Sequence, residues 1–157
     1  MKTPSVLLLL FVLVLFSSDH AFAAKVSLPS KNADAGATVE IPVNIDNATG
    51  LAAYQITITY DKTVLTCTQV EKGYLTQRWD TPAANTTVPG KITFLSTDPN
   101  LQELSKGSGS LAILKCTAAA NPGKRTALRT TNVLLSDGKG TPISATPVDG
   151  TFRINAR

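Results

Sequence analysis

Few side chains in this sequence are suited to catalysis. Its 157 residues include one histidine, His20, and two cysteines, Cys67 and Cys116. The cysteines do not form a C-x-x-C pair, the spacing that is typical of redox-active or zinc-binding cysteines. A serine or cysteine nucleophile usually needs a histidine as its general base. Any such mechanism would therefore depend on His20.

His20 lies in a segment that is predicted to be removed. A basic residue precedes an apolar run at residues 6–16, and a small-x-small sequence, Ala-Phe-Ala, ends at Ala23. This pattern indicates a secretory signal peptide over residues 1–23, and the apolar run is shorter than the roughly 20 residues of a membrane span. We therefore expect a secreted protein, extracellular or periplasmic, with one domain over residues 24–157 and no membrane span.

Carboxylates are the remaining candidates for acid–base or metal chemistry. Ten acidic residues follow Ala23, mostly in turns or at outward strand positions. They include Asp34, Asp46, Asp61, Asp98, Asp137 and Asp149. Aspartates in turns usually accept hydrogen bonds from nearby backbone N–H groups, and no calcium-loop spacing is present. We expect no metal site, no cofactor and no enzymatic activity.

The positive charge of the chain does not indicate a nucleic-acid partner. The formal net charge is +4 and the isoelectric point is about 9.2, but basic residues are scattered and no cluster exceeds two. Scattered charge of this kind favours solubility. Export from the cytoplasm also makes nucleic acid an unexpected partner.

Short β patterns and turns account for the rest of the chain. Apolar and polar residues alternate at 39–45 and again at 54–60, and Pro42 indicates an edge strand or a bulge. Further strands are predicted near 64–70, 91–98, 111–118, 126–135, 142–145 and 148–154, with one short strand near Trp79 and one helical turn within 100–105. Eight or nine alternating strands predict an all-β sandwich or barrel, and favour two antiparallel sheets that each bury one face.

The two cysteines are expected to point into the core. Cys67 shares a strand phase with Leu65, and Cys116 shares one with Leu114. An even number of cysteines in an oxidising compartment favours a disulfide through the core, and the alternative is a pair of buried thiols. Because the closed loop is long, a bridge would stabilise the fold by on the order of 4 kcal/mol.

Aromatic residues offer limited support for sugar binding. Tyr54 and Tyr60 fall on the inward phase of their strand, whereas Gln55 faces outward with its threonine neighbours. The remaining candidates for stacking on a polysaccharide are Tyr74 and Trp79, which lie in the irregular segment.

The order of motifs resembles that of a cohesin module. The stretch AGATVEIPVNIDNATGLAAYQITITYDKTVLTCTQVEKG resembles the opening half of such a module, with its G-x-x-V-x-[IV]-P-V strand. Three later stretches, GKITFLSTD, GSLAILKCTA and VDGTFRI, resemble the strand after the variable loop, the following strand and the closing strand. The resemblance covers nearly all of residues 25–155.

This resemblance implies a jelly-roll β-sandwich of about nine strands, immunoglobulin-like in outline. It also implies a non-catalytic role in the assembly of secreted polysaccharide-degrading enzymes. Cohesins bind dockerins, small helical modules that carry the calcium themselves, through one flat sheet. The family contact positions correspond to Ala53, Gln55, Thr57, Leu95, Thr97 and Asp98. Leu95, Thr97 and Asp98 match the family pattern, whereas Ala53 and Gln55 replace the usual asparagine and aspartate.

Two other functions are compatible with the same pattern. One is a carbohydrate-binding module of related fold that uses Tyr74 and Trp79. The other is a structural or adhesion subunit of the cell surface in which the sandwich serves only as a scaffold.

Overall fold

The computed structural model describes residues 23–105 and 107–156, so all of the predicted signal peptide except Ala23 lies outside the described residues. The described chain contains twelve β-strands and no helix. The strands are β1 (Ala24–Ser27), β2 (Ser30–Ala33), β3 (Thr38–Ile45), β4 (Ala53–Thr59), β5 (Leu65–Lys72), β6 (Ala83–Asn85), β7 (Lys91–Thr97), β8 (Gly109–Ala118), β9 (Arg125–Ser136), β10 (Pro142–Ile143), β11 (Ala145–Val148) and β12 (Gly150–Ile154). Among these residues, no helix is long and apolar enough to cross a membrane.

Two sheets pack face to face as a sandwich, which confirms the predicted fold class. The smaller sheet has the strand order β11-β1-β3-β8-β5. The larger sheet has the order β2-β12-β9-β4-β7-β6, and β10 pairs with β9 beside this path. Alternation along each strand directs one set of side chains between the sheets, where they form a continuous apolar core.

The central strand of the larger sheet follows the predicted alternation. Tyr54, Ile56 and Ile58 of β4 are buried, and Gln55 and Thr59 are partly exposed. Tyr60, just beyond the strand, is half-buried, and its hydroxyl accepts a hydrogen bond of 3.1 Å from the N–H of Cys67. The buried side chains of β4 and the hydrogen bond of Tyr60 thus fix this strand against the smaller sheet.

The chain ends account for most of the difference from the predicted strand count. β1 and β2 are one extended segment that passes from the smaller sheet to the larger at Pro29, and β11 and β12 make the same passage at Asp149. The two segments run parallel, β1 beside β11 and β2 beside β12. The expectation of purely antiparallel pairing is wrong for these two pairs, and β1 and β2 were not predicted at all.

Gly150 allows the two segments to approach each other at this passage. A side-chain Cβ at Gly150 would collide with the carbonyl oxygen of Pro29 and would lie 2.7 Å from the carbonyl oxygen of Leu28. Its backbone lies outside the left-handed region, so close approach, and not an unusual φ, requires glycine here.

Pro42 was predicted to mark an edge strand or a bulge, and its surroundings in β3 agree with this prediction. β8 pairs with β3 along its length, but β1 reaches only Asn44 and Ile45, so the segment of β3 around Pro42 has no described strand on its other side. The register with β8 shifts between Val43 and Asn44, one residue after the proline, where Leu111 is the additional residue on β8. Both the edge-like setting and the bulge are therefore present.

Cys67 and Cys116 form the predicted disulfide, at a sequence separation of 49. The two residues lie directly opposite each other on β5 and β8. These strands are neighbours in the smaller sheet, so the bridge joins two strands of one sheet. The expectation of a link through the core is wrong in this respect, although both side chains are buried as predicted.

Two local predictions differ from the structure in the irregular segments. Residues 100–105 form no helical turn in the described part, since Asp98 and the following backbone amides hold an open loop. The short strand predicted near Trp79 lies at Ala83–Asn85. Trp79 itself ends a turn, its N–H donating to the carbonyl oxygen of Thr76 at 3.0 Å.

We expect the disulfide to contribute substantially to stability. In the double variant Cys67→Ala and Cys116→Ala, the free energy of unfolding should fall by on the order of 4 kcal/mol, because the unfolded chain gains the entropy of an open loop. Urea denaturation measures this change. Reduction of the wild-type protein is the control without a change of side-chain volume and should give a similar loss. An unchanged midpoint in both samples would contradict the prediction.

We also expect Gly150→Ala to destabilise the protein by about 2 kcal/mol or more, because the backbone of residues 28–29 must move away from the new methyl group. Gly36→Ala is the matched control. Nothing lies within 4 Å of a Cβ at Gly36, whose φ is +76°, so its cost should be the left-handed penalty alone, about 1 kcal/mol. Thermal unfolding compares the two variants, and equal losses would show that the close approach costs little.

Candidate functional site

The exposed side of β9, β4 and β7 is the candidate site. β4 lies in the middle, and antiparallel pairing aligns its outward side chains with those of both neighbours. These side chains form four rows across the sheet, and we call them the outer face. From the start of β4 to its end, the rows are Ser136, Ala53 and Thr97; Leu134, Gln55 and Leu95; Asn132, Thr57 and Thr93; and Arg129, Thr59 and Lys91.

The second row places a polar side chain between two exposed leucines. Gln55 pairs with Leu95 on one side and with Leu134 on the other. Leu95 is 45% exposed and Leu134 is 56% exposed. Exposed leucines at matching positions on both sides of one strand form an apolar surface patch. The outward orientation predicted for Leu95 is what the structure shows.

Leu134 was missed by the sequence analysis, and a bulge in β9 explains why. Thr126, Leu128 and Thr130 are buried, so uninterrupted alternation would also bury Leu134. The register with β4 shifts between Thr57 and Ile58, where Thr131 is the additional residue on β9. The shift reverses the phase, so that Leu135 is buried and Leu134 faces outward. Two adjacent leucines in an alternating strand were the available signal.

The predicted contact residues on β4 and β7 lie together, but they differ in exposure. Ala53 and Thr97 are cross-strand partners and both are half-exposed. Thr57 is buried, and its hydroxyl shares a hydrogen bond of 2.9 Å with the hydroxyl of Thr93. Thr57 is therefore not accessible to a partner, whereas Gln55 and Leu95 are accessible.

Asp98 lies beyond the end of β7 and is turned away from the outer face. It is 7% exposed, and its Oδ1 accepts hydrogen bonds from the N–H groups of Asn100 at 2.9 Å and Gln102 at 3.0 Å. These bonds hold the loop that follows β7, in which Leu101 has a left-handed φ of 54°. The structure thus assigns this carboxylate a part in shaping the loop at the edge of the face.

A second turn packs against this loop. The N–H of Gly138 donates to Oε1 of Glu103 at 3.2 Å, and a Cβ at Gly138 would collide with the carbonyl oxygen of Leu101. Hydrogen bonds from the N–H groups of Thr141 and Lys139 hold the pKa of the Asp137 carboxyl below its usual range. The turn connects β9 to β10 and so borders the first row.

An apolar groove of about 400 Å³ runs along the first two rows. Leu95, Leu134 and Pro142 contribute to its walls, with Gln55 between them. Beneath it, Tyr54 stacks on Trp79 with ring centroids 5.9 Å apart and meets Phe94 edge-on at 6.0 Å. Burial raises the pKa of the Tyr54 phenol, which therefore stays protonated and donates to the carbonyl oxygen of Leu111 at 3.3 Å. The aromatic cluster thus packs on the inner side of the sheet, behind the groove.

The two aromatic residues considered for sugar binding have different surroundings. Tyr74 is 78% exposed, whereas Trp79 is 2% exposed and packs on Tyr54. Both border a cavity of about 350 Å³, together with polar side chains such as Arg78 and Gln102. The indole faces are covered by protein, so Tyr74 is the aromatic ring of this pair that is open to solvent.

The described residues give little support to a metal site. In the part of the chain that the structure describes, no three His, Cys, Asp or Glu side chains converge as metal ligands would. The salt bridges of the described residues join Lys115 to Glu40 and to Glu71, on the exposed side of the smaller sheet. The first three rows of the outer face offer apolar area and neutral hydrogen-bonding groups, which are the properties of a binding surface.

Comparison with known proteins agrees with these features. A family model described as the cohesin domain matches residues 24–154. No curated protein sequence matches the chain. The chain is similar to the Clostridium acetobutylicum cohesin CaCohA2 in its complex with CaDoc0917, with 25% identity, a TM-score of 0.74, and coverage of 84% of this chain and 99% of that one.

Two further solved structures are similar over most of their length. A non-cellulosomal cohesin from the archaeon Archaeoglobus fulgidus is 26% identical, with a TM-score of 0.72 and coverage of 84% of this chain and 91% of that one. A type I cohesin–dockerin complex from Clostridium thermocellum, Coh-OlpC with Doc435, shows the fold at 22% identity, with a TM-score of 0.72 and coverage of 86% and 95%. The jelly-roll sandwich implied by the resemblance is confirmed, and the chain belongs to the cohesin family.

Proposed function

We propose that this protein is a non-catalytic docking module that binds a dockerin-bearing protein through the outer face. The observation that carries the proposal is the second row, in which Gln55 lies between two exposed leucines. Gln55 and Leu95 of this row are among the positions to which the cohesin contacts correspond, and Leu134 on β9 extends the row beyond them. An exposed apolar patch with polar surroundings is typical of a protein-binding site.

Relatives support a dockerin as the partner. CaCohA2 is solved in complex with CaDoc0917, and it is 25% identical to this chain. The Clostridium thermocellum structure is described as a cohesin–dockerin complex. Because a dockerin carries its own calcium, the proposal places no metal on this chain.

Ala53 and Gln55 indicate a partner that differs from those of better-known cohesins. A cohesin with asparagine and aspartate at these positions offers a negative charge in the middle of its docking sheet. Here the middle of the outer face is neutral, and the Gln55 amide can both donate and accept hydrogen bonds. We therefore expect the partner to place no cationic side chain opposite Gln55.

Secretion is part of the proposal. Strand β1 and the family match both begin at Ala24, one residue after the predicted cleavage site. A buried disulfide is also typical of proteins that fold in an oxidising compartment. We therefore propose that residues 1–23 are removed on export and that the remaining chain acts outside the cytoplasm, where assembly of polysaccharide-degrading enzymes takes place.

A charge substitution in the second row tests the docking face. Leu95→Arg should weaken the binding of a dockerin by at least about 30-fold, because the guanidinium would be buried against an apolar partner surface. Isothermal titration calorimetry against the calcium-loaded dockerin modules of the source organism measures the affinity. Thr117→Arg is the matched control, since Thr117 is exposed on a strand of the smaller sheet.

The control variant should bind within about twofold of the wild type, and both variants should keep the wild-type melting temperature because both positions are exposed. Addition of EDTA should abolish binding if the partner is a dockerin. Equal affinities for Leu95→Arg and the wild type would exclude the outer face. Binding that survives EDTA would exclude a dockerin.

A further inference from the structure

The last row of the outer face is cationic, unlike the other three. Arg129 and Lys91 lie on either side of Thr59 and share the outward phase of Leu134 and Leu95. Both basic residues are exposed. The outer face is therefore divided along β4 into a leucine-flanked end and a cation-flanked end.

Within the described residues, neither cation forms a salt bridge. Among residues 23–105 and 107–156, the salt bridges involve Lys115, and none involves Arg129 or Lys91. Asp61 is the nearest acidic residue along the chain from Thr59, and its carboxylate accepts bonds from the N–H and hydroxyl of Thr63 at 2.8 and 2.7 Å. These hydrogen bonds lower the pKa of the Asp61 carboxyl and hold its carboxylate within the turn at residues 61–63.

The spacing of the rows matches the dimensions of an α-helix. Strands lie about 4.8 Å apart, so the two leucines are separated by roughly 10 Å across β4, and so are the two cations. This is close to the diameter of a helix with its side chains, about 10–12 Å. Along β4, the row of Gln55 and the row of Thr59 are four residues apart, or roughly 13 Å. A helix returns to the same face after two turns, so positions about seven or eight residues apart, roughly 11–12 Å along its axis, come nearest to that spacing.

We propose that the partner presents a helix that lies along β4, with apolar side chains between Leu95 and Leu134 and with carboxylates about seven or eight residues away on the same face, opposite Arg129 and Lys91. This inference rests on the proposed function and names the chemistry of its partner. The apolar end excludes water from the contact, whereas the carboxylates at the cationic end determine the direction of the helix and the choice among partners. Because the cations are exposed, salt should weaken that part of the interaction.

A selection experiment tests the charge pattern. A surface-display library, built on a calcium-loaded dockerin module with the exposed positions of its docking helix randomised, is selected for binding to the wild-type protein and to the double variant Lys91→Glu, Arg129→Glu. The control is Lys25→Glu, Lys31→Glu, which changes the net charge equally at two exposed positions on β1 and β2, neither of which pairs with a strand of the outer face. Leu95→Arg reports whether the selected modules use that face.

Wild type and control should select aspartate or glutamate about seven or eight residues from selected apolar positions, and the double variant should select lysine or arginine there. The best wild-type binder should lose about tenfold in affinity on the double variant, and this difference should shrink at high salt. If modules bind through the face without any charge preference, the inference is overturned while the proposed function stands. If no module binds, or if binding ignores Leu95→Arg, the proposed function fails and the inference fails with it.

Discussion

The register of β4 is the constraint on which the rest of the molecule depends. Its inward side chains, Tyr54, Ile56 and Ile58, are buried between the sheets, and a shift of one residue would expose all of them to solvent. Since β9 and β7 pair with β4 on its two sides, the same register determines which outward residues form rows. The composition of the outer face is thus decided by the packing of the opposite side of the sheet.

Sequence patterns predicted those elements whose information is local. The alternation in β3 and β4 was sufficient to identify their buried sides, and Pro42 marked an irregular segment because proline cannot donate a ladder hydrogen bond. The outward orientation of Leu95 followed from the same alternation. In each case, residues within one strand carried the signal.

What could not be predicted depends on contacts between distant segments. β1 and β2 are too short for a clear alternation, and they exist because the C-terminal segment pairs with them. Leu134 faces outward because a single additional residue in β9 is accommodated beside β4. Similarly, the aspartate after β7 matches a family contact by sequence, but its carboxylate is used by two backbone amides of the following loop. The pairing of the chain ends has no signature within a short window of sequence, and the adjacent pair Leu134 and Leu135 was the one local sign of the bulge in β9.

The parallel course of the first and last segments has a mechanical consequence. Ala24 lies beside Ala145, and Ile154 lies beside Ala33, so the two ends of the folded region emerge at opposite ends of the sandwich. A tensile force applied between Ala24 and Ile154 would pull the paired strands past each other lengthwise. Their hydrogen bonds would then share the load and would have to break together, whereas a hairpin pulled at its open end opens one bond at a time. This arrangement suits a protein that must stay folded while its two ends are pulled apart.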